Sequence, residues 1–147
     1  QQFQLTFKYT YWGNLEISMK PDNSDQETVI GNGIAKFITI SQVSDTEVKM
    51  ELKEFELFLN GTIMKFGDIV IDKCTVKKET DASTFTGQQN LTFSGDAAAL
   101  GTCATTVEGT VESGALTMNI NVKVATLQQT VKVTYSGVKQ VEESGND

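Results

Sequence analysis

The sequence predicts an all-β fold, an eight-stranded antiparallel up-and-down meander closed into a barrel, from three observations. Apolar residues recur at every second position over many short segments, the period at which side chains share one face of a strand. Nineteen threonines against a single proline suit pleated surfaces. Polar and glycine-containing turns separate the segments, and no stretch reads as a convincing helix. Closing the last strand onto the first would remove the exposed edges of such a meander. A two-sheet sandwich is the competing architecture.

The clearest pattern is the closing hairpin. Leu116, Met118, Ile120, Val122 and Val124 alternate with Thr117, Asn119, Asn121 and Lys123. After a break at Ala125-Thr126, Leu127, Val131, Val133 and Tyr135 do the same against Thr130, Lys132 and Thr134. One face therefore meets a core and the other meets water. Two strands alone are marginal in water, so the rest of the chain must supply the covering sheet.

The first strand is expected over Phe3 to Met19, with Phe3, Leu5, Phe7, Tyr9 and Tyr11 on one parity and Leu15, Ile17 and Met19 after it. Gly13 reads as a bulge or a strand start. Pro21 to Glu27 is a turn cluster; its Asp22, Asn23, Asp25 and Glu27 lack the alternating order of a calcium loop and read as solvated. A second strand is expected after Gly31-Asn32-Gly33, from Ile34 to Gln42. Glu47 to Lys53 alternates Val48, Met50 and Leu52 with charged residues, a half-buried strand.

Phe55 to Phe66, broken by Asn60-Gly61, fits a small hairpin or a strand with a lid-like excursion. Strands follow over Asp68 to Lys78, Thr84 to Phe93 and Thr102 to Glu112. Ser94 to Leu100 is expected to be a loop, too short for a stable helix. One domain suffices for 147 residues, with strands over about 9–137 and a flexible tail over 138–147.

Composition removes several function classes. The formal charge of −7 comes from dispersed carboxylates, which favours solubility. All twelve basic residues are lysines without a basic stripe, so nucleic acid is not an expected partner. No apolar run approaches the roughly 20 residues of a membrane-spanning helix. The chain opens on Gln1-Gln2-Phe3 without an initiator methionine, which reads as a mature form with an export signal removed.

Histidine is absent and Cys-x-x-Cys spacing is missing, so zinc and redox sites lack their usual ligands and no cofactor is expected. Without histidine the commonest general base is missing too. Glu47, Glu51, Glu54 and Glu56 fall on or beside outward parity, favouring solvation over a carboxylate pair in a pocket. The expectation is a protein that is not an enzyme. Cys74 and Cys103 admit two readings, one disulfide in an exported chain or two small buried hydrophobes. Asn60-Gly61-Thr62 and Asn90-Leu91-Thr92 match the glycosylation pattern but receive no function.

Leu15-Glu16-Ile17-Ser18-Met19, Glu51-Leu52-Lys53-Glu54-Phe55, Phe66-Gly67-Asp68-Ile69-Val70-Ile71, Thr84-Phe85-Thr86-Gly87, Val107-Glu108-Gly109-Thr110-Val111, Leu116-Thr117-Met118 and Val131-Lys132-Val133-Thr134-Tyr135-Ser136-Gly137 follow one another in this order. That order resembles the calycin-like β-barrel family of exported proteins and lipoproteins of commensal gut anaerobes, over roughly Tyr9 to Gly137. The resemblance implies an eight-stranded calycin-like barrel outside the cytoplasm, whether periplasmic, outer-membrane-anchored or secreted. Its motifs are structural and none is catalytic. Lipocalins proper begin with Gly-x-Trp where this chain has Trp12-Gly13, so their ligand residues do not transfer. No lipid-bearing cysteine stands at the chain start, which leaves a lipid anchor in a longer precursor open.

An eight-stranded barrel can hold one small hydrophobic ligand. The expected lining is Met19, Ile38, Met50, Leu52, Phe93, Met118, Ile120, Val133 and Tyr135. The alternative is that these fill the lumen as core, while the aromatics Tyr9, Tyr11, Trp12, Phe55, Phe58 and Phe66 form a surface patch for a protein or glycan. A carrier requires an apolar cavity of about 300 Å³ or more, open at one end.

Overall fold

Eight strands run in chain order: β1 (Lys8–Pro21), β2 (Thr28–Ser44), β3 (Glu47–Leu59), β4 (Thr62–Lys78), β5 (Ser83–Thr92), β6 (Thr102–Glu112), β7 (Ala115–Val124) and β8 (Gln129–Lys139). The computed structural model describes residues 7–59 and 61–141. Each strand pairs antiparallel with the next and β8 pairs with β1, closing the barrel, so the sandwich alternative is overturned. Phe3, Leu5, Asn60 and residues 142–147 of the expected tail lie outside the described residues.

Alternation drives the closure. In β7 the pattern of exposed and buried residues is unbroken, and Leu116, Met118, Ile120, Val122 and Val124 all enter the core. β8 buries Val131, Val133 and Tyr135 in the same way, and its strand reaches Lys139, two residues past the expected end of the strands at 137. Leu127 departs from expectation. It sits in a 3₁₀-turn, Ala125–Leu127, and is exposed, because the turn breaks the two-residue period.

Gly13 is neither a bulge nor a start but an inward position in mid-strand, facing Gly137 across the β1–β8 pair. The side chain that fills the space is Tyr135. A Cβ on Gly137 would lie 2.6 Å from the Tyr135 hydroxyl, which donates a 3.0 Å hydrogen bond to the Lys36 carbonyl. The ring thus reaches from β8 past β1 to β2. Phe85 does likewise over Gly109, its direct partner on β6.

The wall is less regular through β2, β3 and β4. β2 begins at Thr28 rather than after Gly33, because its first half follows β1 through two register shifts. The Phe55 to Phe66 segment is a hairpin, as one reading allowed, but it forms the far ends of two long strands. β2 and β3 pair only from Ile38↔Leu52 to Ser44↔Glu47. Below that they separate, and the Lys36 ammonium, 2.7 Å from the Glu54 carbonyl, bridges them. Glu54 has a positive φ of 56°, a conformation that costs a non-glycine residue roughly 1–2 kcal/mol; its N–H donates to the Asp68 carboxylate at 3.0 Å.

The two ends of the lumen differ. At one, the expected loop is a 3₁₀-helix, Gly95–Leu100, whose Ala97 and Leu100 are buried. Packing against β4 supplies the stability that so short a helix lacks alone. Phe93 stacks edge-on with Phe66, and Phe66 with Phe55, at centroid distances of 4.8 and 5.5 Å. The Thr126 hydroxyl donates to the Leu100 carbonyl at 3.2 Å, tying the two 3₁₀ segments together.

Candidate functional site

Among the described residues the other end stays open. There β1 begins and β8 ends, and the β2–β3, β4–β5 and β6–β7 turns surround a cavity of about 210 Å³. Phe7, Tyr9, Tyr11 and Phe85 supply its aromatic wall, and Ile40, Val48, Val76 and Val111 its aliphatic one. Gln42, Ser44, Asp45, Glu47, Lys78 and Ser83 form a polar rim. This follows from meander topology: apart from Phe7, which precedes β1, each apolar residue is an inward position near the mouth end of its strand, and each rim residue sits at or near a turn.

Tyr9 lies between two neighbours. Phe7 stacks on it with centroids 4.7 Å apart and rings 17° from parallel, and the Lys139 ammonium stands 3.7 Å from its centroid. Glu47 accepts a hydrogen bond from the Ser44 hydroxyl at 3.2 Å. Tyr11 forms the floor. Its side chain is 1% exposed, and burial, with the nearby Tyr9 phenol, raises its ionisation above the ordinary phenol value. Its hydroxyl makes no hydrogen bond to any described residue, unlike that of Tyr135.

The nine expected lining residues lie elsewhere. Met19, Ile38, Met50, Leu52, Phe93, Met118, Ile120, Val133 and Tyr135 are all buried and belong to one packed core, and none of them borders the mouth. Parity placed them inward correctly, but depth along the barrel axis depends on register. Inward residues within a few positions of the mouth-end turns are the ones that line the mouth. The mouth also falls short of the 300 Å³ expected for a carrier enclosing its whole ligand.

A second cavity, of about 370 Å³, occupies the gap between the separated halves of β2 and β3, over Leu15, Ile17, Ile34 and Leu57. Of the expected aromatic patch, Phe55 and Phe66 are buried in the core, while Phe58, Trp12 and Tyr9 keep exposed surface. Trp12 pairs with Phe37 on one side and Val138 on the other, making an exposed apolar row across β8, β1 and β2. The Trp12 and Phe37 rings lie 4.4 Å apart.

Of the two cysteine readings the structure has the second: Cys74 and Cys103 are free buried thiols. Register explains why. Cys103 faces Leu91 on β5, whereas Cys74 lies next to Thr75, which faces Thr86. The offset along the strands is about four residues, or roughly 13 Å at ~3.3 Å per residue, against the ~7 Å limit between bridged Cα atoms. Burial pushes the Cys74 thiol up to about 11 and also raises Cys103.

Among the described residues no cluster of three or more acidic or cysteine side chains could hold a metal ion. In the Pro21 to Glu27 turn, Glu27 instead pairs with Lys132 at 2.7 Å and Asp22 accepts from Thr130 at 3.4 Å. No helix among them is long and apolar enough to cross a membrane.

A family model described as a calycin-like beta-barrel domain matches residues 7–138. None of the curated proteins compared with the chain matches it. Among solved structures, the crystal structure of a protein from Bacteroides fragilis NCTC 9343, described as a putative outer membrane protein, superposes with a TM-score of 0.65 at 17% identity. The superposition covers 91% of this chain and 50% of that one, so the chain spans about half the length of that protein. At this identity the likeness is one of fold.

Proposed function

The chain belongs to the calycin-like beta-barrel domain family, and from that premise we propose that it is a non-catalytic, extracytoplasmic binding protein that takes a small apolar ligand at the open mouth of its barrel. The observation that carries this reading is the contrast between the ends: a 3₁₀-helix plugs one, and the other opens onto an aromatic and aliphatic cavity with a polar rim. An apolar enclosure with a few polar groups is the usual make-up of a small-molecule site. At about 210 Å³ the mouth takes one ring or a short acyl group, with the rest of the ligand passing the rim. Extracytoplasmic placement rests on the family resemblance and on the described outer-membrane nature of the structural neighbour.

The test is titration with a neutral naphthalene-based dye. Native protein should bind it saturably at one site, and Val76→Trp, which puts an indole into the mouth, should abolish binding while keeping the β-sheet circular dichroism. No saturable binding by native protein, or unchanged binding by a folded Val76→Trp, overturns the reading.

A second reading is favoured by the Val138–Trp12–Phe37 row, an exposed apolar surface suited to contact with another macromolecule. It predicts a partner lost on Trp12→Ser, with dye binding at the mouth unchanged.

A further inference from the structure

Two inward tyrosines have opposite fates. Tyr135 spends its hydroxyl inside the protein, on the Lys36 carbonyl at 3.0 Å. Tyr11 is as deeply buried, at 1% exposure, yet finds no partner among the described residues and borders the mouth. Buried hydroxyls are normally hydrogen-bonded, and one left without a partner costs about 1–3 kcal/mol of desolvation. Such a group at the floor of an otherwise apolar cavity marks where a ligand's polar atom would sit.

We infer that the ligand of the mouth is neutral and carries a hydrogen-bond acceptor, a carbonyl oxygen beside an apolar ring or chain, and that Tyr11 donates to it. This inference rests on the mouth being a binding site. Three features set the class. The phenol is a donor that stays protonated, since burial holds its ionisation above the ordinary value. The surrounding Tyr9, Phe85, Val48 and Val76 offer contact but no competing charge. At the mouth Asp45 and Glu47 are matched by Lys78 and by the Lys139 ammonium over Tyr9, so no excess of positive charge calls for an anion, and the chain carries −7 overall.

The experiment uses two probes of nearly the same shape, acetophenone and α-methylstyrene, which differ in C=O against C=CH₂. Binding to the 147-residue chain is followed by NMR shifts of the mouth residues. Native protein should bind the ketone about five- to tenfold more tightly than the olefin, the ratio expected of one hydrogen bond worth about 1–1.4 kcal/mol. In Tyr11→Phe the ketone should lose that advantage while olefin affinity is kept. A second readout is the free protein: Tyr11→Phe should melt no lower than native, because no internal hydrogen bond is removed.

If neither probe binds, the mouth reading falls and this inference with it. If both bind native protein equally, or the ketone keeps its advantage in Tyr11→Phe, the mouth reading stands and the inference is overturned. A melting loss in Tyr11→Phe as large as in Tyr135→Phe would reveal an internal partner and also overturn it.

Discussion

The wall made by β5, β6, β7, β8 and β1 and the wall made by β2, β3 and β4 are built from similar strands but held in different ways. In the first, β5–β6, β6–β7, β7–β8 and β8–β1 pair without a single register shift. In the second, β2–β3 shifts once and β3–β4 three times, Glu54 and Gly67 take positive φ, and β2 and β3 part below Ile38 and Leu52. An unbroken two-residue period turns apolar residues into a continuous core face. Bulges re-aim that face and increase local twist, so the wall divides and leaves a cavity. Both walls bury core residues, Ile38, Met50 and Ile69 in the divided one, but the divided wall leaves apolar positions such as Ile34 beside a gap, where a change should cost less.

Truncation is the strongest way to break this contrast. Ile120 is fully buried in the closed wall, and Ile120→Ala should cost about 2–5 kcal/mol, the lost transfer energy plus a cavity. Ile34 lies beside the gap, already partly open, so Ile34→Ala should cost less than about 1 kcal/mol, since little enclosed space is emptied. Urea denaturation followed by far-ultraviolet circular dichroism measures both. Equal losses would show that the divided wall is packed as tightly as the closed one.

The same contrast decides how much was legible in the sequence. Leu116 to Val124 could be read residue by residue, because each apolar position there obeys a single local rule and the structure buries all five. The start of β2 could not. Residues 28–33 look like turn, with Gly31 and Gly33, and become strand only because β1 supplies an edge to pair with. Ser94 to Leu100 reads as a loop in the sequence because the helical form of Gly95–Leu100 depends on β4, far away in sequence.

The candidate site was less legible still. Tyr9 and Tyr11, expected in a surface aromatic patch, line the mouth, and the nine candidate lining residues are central core, as the filled-lumen alternative has it. Alternation is local, whereas depth is set by register between strands distant in sequence. Cys74 and Cys103 illustrate the same limit, both inward and buried, yet about four residues out of register.

Tyr135 joins the two walls, because its ring starts on β8 and its hydroxyl ends on the Lys36 carbonyl of β2. Tyr135→Phe keeps the ring over Gly137 and removes only that bond. The expected loss is about 1 kcal/mol, the usual net contribution of a neutral hydrogen bond. Hydrogen exchange should rise at the β2 amides around Lys36 and leave those of β6 and β7 unchanged. A uniform rise would mean that both walls open as one unit, and the contrast between them would not extend to dynamics.

The smallest effect tests a link at the opposite end of β2. Glu27, just before the strand, reaches β8 through Lys132 at 2.7 Å and accepts from the Ser18 hydroxyl at 3.2 Å. The hydrogen bond from Lys132, with the attraction of its charge, holds the carboxyl below its ordinary value of 4.5. A carboxylate depressed in the folded state contributes stability above its unfolded-state value and loses that contribution as pH falls through the folded one. Glu27→Gln should therefore lower the urea midpoint slightly at pH 7, and the difference from native protein should close as the medium is acidified below about pH 4. The pair is exposed, so 1 M salt should shrink the pH 7 difference as well. A difference that persists in acid would mean that Glu27 acts through its packing against Ser18 instead of its charge, and that the tie between β2 and the closed wall is steric.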